Sequence, residues 1–229
     1  MQSPSRFLAG LSGLLALITC STASAAGAVF YGPTPYTSSA NIPAGFYQGG
    51  APTFLDSLED GSLGGSVSAN FGNVYGPAGN ADSVDADDGS IDGNGTSGHS
   101  WYYNNGPTGV TFTFNTSILP TAAALVWTDG AGSITFSARD GDGNSLGSFN
   151  FTDIPDSSFL GTTAEDSFFG VQFAGGIKSI TIANSSGGIE IDHIQYGIAP
   201  VPEPETYGML LAGLGLMGFV ARRRKSGMA

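Results

Sequence analysis

From Val110 onward the chain is cut into short segments, rich in β-branched and aromatic residues, that recur roughly every 8 to 15 residues with Gly, Asn and Asp between them. Val110–Asn115, Ala123–Thr128, Ser133–Arg139, Leu146–Thr152, Phe168–Phe173, Lys178–Ala183 and Ile189–Tyr196 are the segments. In Thr111-Phe112-Thr113-Phe114 and Ser133-Ile134-Thr135-Phe136 the apolar residues fall at every second place. That period puts one face of a sheet on a core and the other in water. No stretch outside the termini has the spacing of an amphipathic helix, and strands do not alternate with helices. The pattern predicts an all-β domain, an antiparallel β-sandwich of jelly-roll or immunoglobulin-like type, with the jelly roll preferred because an immunoglobulin-type disulfide is absent. Before Pro107 only Phe54–Glu59 and Val67–Phe71 read as strands, and Gly, Asn and Asp predict long ordered loops.

Composition narrows the function classes. The chain has 229 residues with 36 Gly and 12 Pro but no period of three, which excludes collagen. Of its 19 carboxylates all but Glu203 and Glu205 lie between Ala26 and Ala199, where Arg139 and Lys178 are the only Lys or Arg residues. A domain so acidic repels a phosphate backbone, so nucleic acid is not an expected partner.

Both ends read as addresses. Residues 1–25 carry Arg6, an apolar run from Phe7 to Ile18 and a small-residue site at Ala23-Ser24-Ala25, the pattern of a secretory signal peptide cut after Ala25. The single cysteine, Cys20, would leave with it, so no disulfide supports the exported domain, residues 26–199. The rival reading makes Leu17-Ile18-Thr19-Cys20 a lipid-attachment box, with Thr19 bulkier than the small residue such a box uses.

Residues 200–229 hold Pro202-Glu203-Pro204, an apolar stretch from Tyr207 to Ala221 predicted to form a separate hydrophobic helix, and Arg222-Arg223-Arg224-Lys225. Fifteen helical residues rise about 22 Å, short of a hydrocarbon core of about 30 Å, which suits a transient stay in the inner membrane. The basic cluster would face the cytoplasm and place the domain outside. A plain tail anchor is the simpler alternative. The order of Pro-Glu-Pro, short apolar helix and Arg cluster resembles the PEP-CTERM sorting signal of Gram-negative bacteria. That resemblance implies an exosortase as processing partner, acting near Pro202, Glu203 and Pro204, and a destination at the cell surface or in a polysaccharide-rich matrix. Two prolines hold the scissile region extended, as a transpeptidase cleft requires.

Within the domain, Asp82, Asp85, Asp87, Asp88 and Asp92 crowd a Gly-rich loop. Either a hard cation, calcium by its preference for oxygen, holds them together, or the loop is simply solvated. The spacing departs from an EF-hand, with Gly89 and Thr96 at the fifth and twelfth places counted from Asp85. Asp140-Gly141-Asp142-Gly143-Asn144 begins like a calcium loop but lacks the closing glutamate, and its flanking strands predict a hairpin turn. Gly93-Asn94-Gly95-Thr96-Ser97-Gly98 matches a dinucleotide fingerprint in letters only, without the strand and helix that give the motif its meaning.

Next to it, Trp101, Tyr102 and Tyr103 lie side by side. On a strand Trp101 and Tyr103 face one way and Tyr102 the other, which leaves at least one ring of the three for stacking on a sugar, while for Trp101 packing in the core is the alternative. With no signature of a hydrolase nucleophile or zinc site, the domain is expected to be non-catalytic. A glycoside-active enzyme, which needs only two carboxylates, is the least supported alternative. Asp192 and His193, adjacent on a strand, are expected on opposite faces and so not as a pair. The sequence thus predicts an exported surface or matrix protein with an adhesive role, and a carbohydrate-binding module as the alternative.

Overall fold

The computed structural model describes residues 27–152 and 160–200, with the single positions Gly213 and Met217. The signal segment, the motif residues Pro202, Glu203 and Pro204, and Arg222, Arg223 and Arg224 lie outside the described residues, as does nearly all of the expected C-terminal helix. Among the described residues no helix is long and apolar enough to cross a membrane.

Ten strands form one antiparallel sheet: β1 (Val29–Pro35), β2 (Phe54–Asp56), β3 (Val67–Ala69), β4 (Asn73–Tyr75), β5 (Ser100–Tyr103), β6 (Val110–Phe114), β7 (Ala122–Asp140), β8 (Ser145–Phe151), β9 (Ser167–Gln172) and β10 (Ile177–Gly197). The all-β antiparallel expectation holds. Its spine is the pair β7 and β10, each close to 20 residues long and paired along most of that length. The other edge of β10 meets β6, then β5, then β2 in turn; that of β7 meets β9 and then β8. β1 extends β9, β3 extends β6 and β4 extends β5.

The sequence split each spine strand into two at its Gly- and Ser-rich middle. In the structure the chain stays in the sheet there, because the irregularities of the two partners coincide. Gly130 and Gly132 of β7 lie opposite the register shifts of β10 between Asn184 and Ile189. The Asn184 side chain bridges the gap, donating to the Ser186 carbonyl at 2.7 Å and the Gly188 carbonyl at 2.8 Å. Such bulges bend paired strands without ending them.

The main core lies on one face and draws Phe112 and Phe114 from β6, Phe136 from the second half of β7, Leu125 and Trp127 from its first half, Phe169 from β9 and Ile191 from β10. Rings from the two halves of the sheet meet there: Phe136 lies 5.9 Å from Phe169 and Phe114 lies 5.3 Å from Tyr196. A second, smaller core covers the opposite face of β7 and β9 with Tyr36, Phe46, Tyr47 and Val84 over Ala122, Ala124, Val126 and Phe168. The first half of β7 is therefore buried on both faces, which explains its unbroken run Ala122-Ala123-Ala124-Leu125-Val126-Trp127. The loops of the early half supply this cover. As expected, Asp140 to Asn144 turns β7 into β8, with the Asp140 carboxylate accepting from the Asp142 and Asn144 amides.

Candidate functional site

The sequence from Ile189 to Tyr196 explains how polar groups come to be buried at one place. Ile189 and Ile191 face the main core, so Glu190 and Asp192 face the opposite side. One extra residue then enters: Asp192 pairs with Val126 but Gln195 with Ala124, and His193 takes the left-handed conformation at φ 43°. This bulge corrects the expectation that Asp192 and His193 lie on opposite faces. Both turn toward the 81–99 loop, while Ile194 and Tyr196 return to the core face.

The loop is fastened to that row through its backbone. Glu190 Oε2 accepts from the Asp82 amide at 2.7 Å and from Ser100 Oγ at 2.9 Å. Asp192 Oδ2 accepts from the Val84 amide at 2.9 Å. His193 spans Tyr36 Oη, 2.9 Å from Nδ1, and the Asp87 carboxylate, 2.9 Å from Nε2. One ligand-type atom from each of Asp87, Asp192 and His193 lies within 4.8 Å of the others.

The five carboxylates expected to share a cation do not converge. Asp85, buried, accepts the amides of Asp92, Gly93 and Asn94 and so closes the loop on itself. Asp87 is held by His193, Asp88 accepts the Ser90 amide, and Asp92 is exposed. Asp82 turns inward and is fully buried. Two glycines of the apparent dinucleotide motif serve packing: a side chain at Gly95 or Gly98 would collide with Ser83, whereas Gly93 serves a backbone turn at φ 86°.

Two more carboxylates, with no motif in the sequence to mark them, are buried just before β9. Glu165 and Asp166 are each 1% exposed, and the charges of Asp82, Asp192, Glu165 and Asp85 all act on Asp166. Burial first, and then the charge of Asp82, push Asp166 well above the usual carboxylate range. Burial and the neighbouring Asp87 do the same to Asp192. Glu190 is pushed up to about 7 by burial, against the lowering effect of its bonds from Ser100 and the Asp82 amide. Glu165 and Asp166 sit in a polar run with no motif around it; only their place before an apolar strand could have drawn notice.

The aromatic trio divides as its alternation predicts. Trp101 is in the core, its Nε1 donating to the Phe71 carbonyl at 2.9 Å, and Tyr103 stacks on Phe71. Tyr102 is 39% exposed. With Tyr75, 5.7 Å away, it lines a cleft of about 510 Å³ whose polar lining includes Asn80, Asp129 and Glu190. Gly188 forms the floor, and a Cβ there would lie 2.9 Å from the Tyr102 ring.

The model of the PEP-CTERM protein-sorting motif matches residues 200–225 of this chain. No curated protein matches it. Similar solved structures include the enzymatically active domain of bacteriophage CBA120 tailspike protein 4, at 15% identity and TM-score 0.34, covering 62% of this chain and 20% of that one. An exo-beta-agarase is similar at 13% identity and TM-score 0.33, covering 68% and 26%. The chain spans only about a fifth to a quarter of either structure.

Proposed function

We infer that this chain, which carries a PEP-CTERM protein-sorting motif at residues 200–225, is an exported, non-catalytic protein of the cell surface or extracellular matrix whose sandwich-like domain adheres to polysaccharide. The motif implies export, processing by an exosortase and a surface or extracellular location. Adhesion through a glycan rests on one observation, the cleft in which Tyr75 and Tyr102 present rings beside Asn80, Asp129 and Glu190. A sugar offers an apolar face and a rim of hydroxyls, and an aromatic wall with amide and carboxylate groups complements both. The test is a glycan array probed with the purified full chain and with Tyr102→Ala. Binding to a defined class of polysaccharide that falls at least tenfold in the variant supports this function; an array on which the two proteins behave alike refutes it.

A second reading, glycoside hydrolysis, has its own observation in the same cleft. Glu190, titrating at about 7, would stay protonated as a general acid while Asp129, whose charge acts on it, would supply the second carboxylate. Release of reducing ends from matrix polysaccharide, lost in Glu190→Gln, would favour hydrolysis over binding alone.

A further inference from the structure

We propose that the cleft between Tyr75, Tyr102 and Asp129 takes the ammonium group of an amino sugar, so that the polysaccharide it holds carries free amines; this rests on the reading of the cleft as a glycan site. The geometry of three strands comes first. Glu190 of β10 lies directly opposite Tyr102 of β5 on one side and Asp129 of β7 on the other. Residues opposite one another in antiparallel strands present their side chains to the same face, and all three of these line the cleft. One ring and two carboxylates thus form a row across the sheet, each step about 5 Å wide. Tyr75 closes the aromatic end of the row. Its ring lies 5.7 Å from that of Tyr102 at an angle of 45°, and its hydroxyl donates to Asn80 Oδ1 at 2.6 Å, which holds the ring in place.

The charges of that row select the ligand. None of the described residues lining the cleft is Lys, Arg or His. The two Lys and Arg residues of the domain are engaged elsewhere: Arg139 donates to the Gly143 carbonyl and Lys178 to the Phe114 carbonyl. Glu190 is 4% exposed, and the charge of Asp129 adds to burial in making its ionisation costly. A uronic acid or a sulfated sugar would bring a further negative charge to this wall and be repelled. A neutral sugar would donate its hydroxyls to the carboxylates but leave their charges uncompensated in a partly buried place. An ammonium group offers three N–H donors to the carboxylate oxygens, compensates their charge and so favours the ionised form of Glu190. It is also attracted by the faces of the two tyrosine rings, which meet at an angle and present both to one point.

The test is calorimetric titration of the full chain, purified in mild non-ionic detergent and held at about pH 6 in physiological salt, with three β-1,4-linked hexamers that differ only at C2: those of glucosamine, N-acetylglucosamine and glucose. The glucosamine hexamer should bind the wild type at least tenfold more tightly than either of the others, a comparison that depends on no variant folding. Asp129→Asn, which keeps an acceptor for the Gly130 amide, should remove that preference, and Tyr102→Ala should weaken binding of the glucosamine hexamer at least tenfold. Asp88→Asn combined with Asp92→Asn, which removes two charges outside the cleft, should change nothing. Equal affinity for the three hexamers, lost in Tyr102→Ala, would overturn the amine assignment and leave the glycan reading standing. No binding of any hexamer would overturn it too, and the glycan array then decides the broader reading by itself. A loss in the Asp88 and Asp92 double variant equal to that in Asp129→Asn would reduce the preference to the general acidity of the domain and overturn the proposal. So would a hexalysine peptide that binds as tightly as the glucosamine hexamer with the same dependence on Asp129, which would assign the ammonium to a protein side chain.

Discussion

Glu190 shows how much one side chain does here. It receives the Asp82 amide and the Ser100 hydroxyl, lines the cleft, and titrates at about 7 against an ordinary value of 4.5 because it is buried. An acid whose proton is held more tightly in the folded state stabilises that state fully below its ordinary range, and the contribution is lost as pH rises through about 7. In EDTA, therefore, the unfolding midpoint should fall between pH 5 and pH 8. Glu190→Gln, which keeps an acceptor for both bonds, should remove part of the fall; Asp166 and Asp192, raised by burial too, account for the rest. A midpoint that is flat or rises over this range would contradict the assignment. Gly188 offers a second probe. A valine there would push into the Tyr102 ring, so glycan binding should drop at least tenfold while the unfolding midpoint moves little. Neither role is legible in the sequence: period-two alternation places Glu190 and Tyr102 off the core face, but not against a loop or over a glycine.

At the scale of elements, β10 carries the chemistry because it carries a bulge. Alternation correctly put Ile189 and Ile191 on the core, and it failed at His193, where one added residue turns the imidazole to the same side as Asp192. Without His193 the run Ile189, Ile191, Ile194, Tyr196 becomes strictly alternating. Deleting His193 should therefore leave a folded sheet and cost about 2 kcal/mol, from the lost bonds to Tyr36 and Asp87. Phe136→Ala, which empties the contact with Phe169 in the main core, should cost about 3 to 5 kcal/mol. Chemical denaturation of both variants checks the order; a deletion costing more than Phe136→Ala would mean that the bulge is needed for the sheet itself. The same limit of local reading split β7 and β10. Glycine and serine in a strand signal a break when only one strand is considered, whereas irregularities aligned across two partners make a bend. β1 and β4 escaped because each is short or interrupted by Gly and Pro, and pairing rather than propensity makes them strands.

For the whole molecule, the address was the most legible part, since a sorting signal must be read by other proteins from a linear stretch. Replacing Pro202, Glu203 and Pro204 by alanine should keep the chain in the membrane fraction of its host, with wild-type protein found at the surface or in the medium; equal release of both would count against exosortase handling. The acidic excess of the domain was equally plain, yet Asp82, Asp85, Asp87, Asp88 and Asp92, close in sequence, proved to differ in burial and partners, while Asp87 and Asp192, far apart in sequence, were brought with His193 within 4.8 Å of one another. Proximity through a fold leaves no trace in spacing. Adhesion to polysaccharide through the Tyr75 and Tyr102 cleft sets the outcome of affinity electrophoresis of the full chain in gels containing extracellular polysaccharide from its host. The wild type should be retarded in proportion to polymer concentration, and Tyr102→Ala, with an unchanged unfolding midpoint, should run as it does in an empty gel. Equal retardation of the two proteins, or none of either, would contradict it.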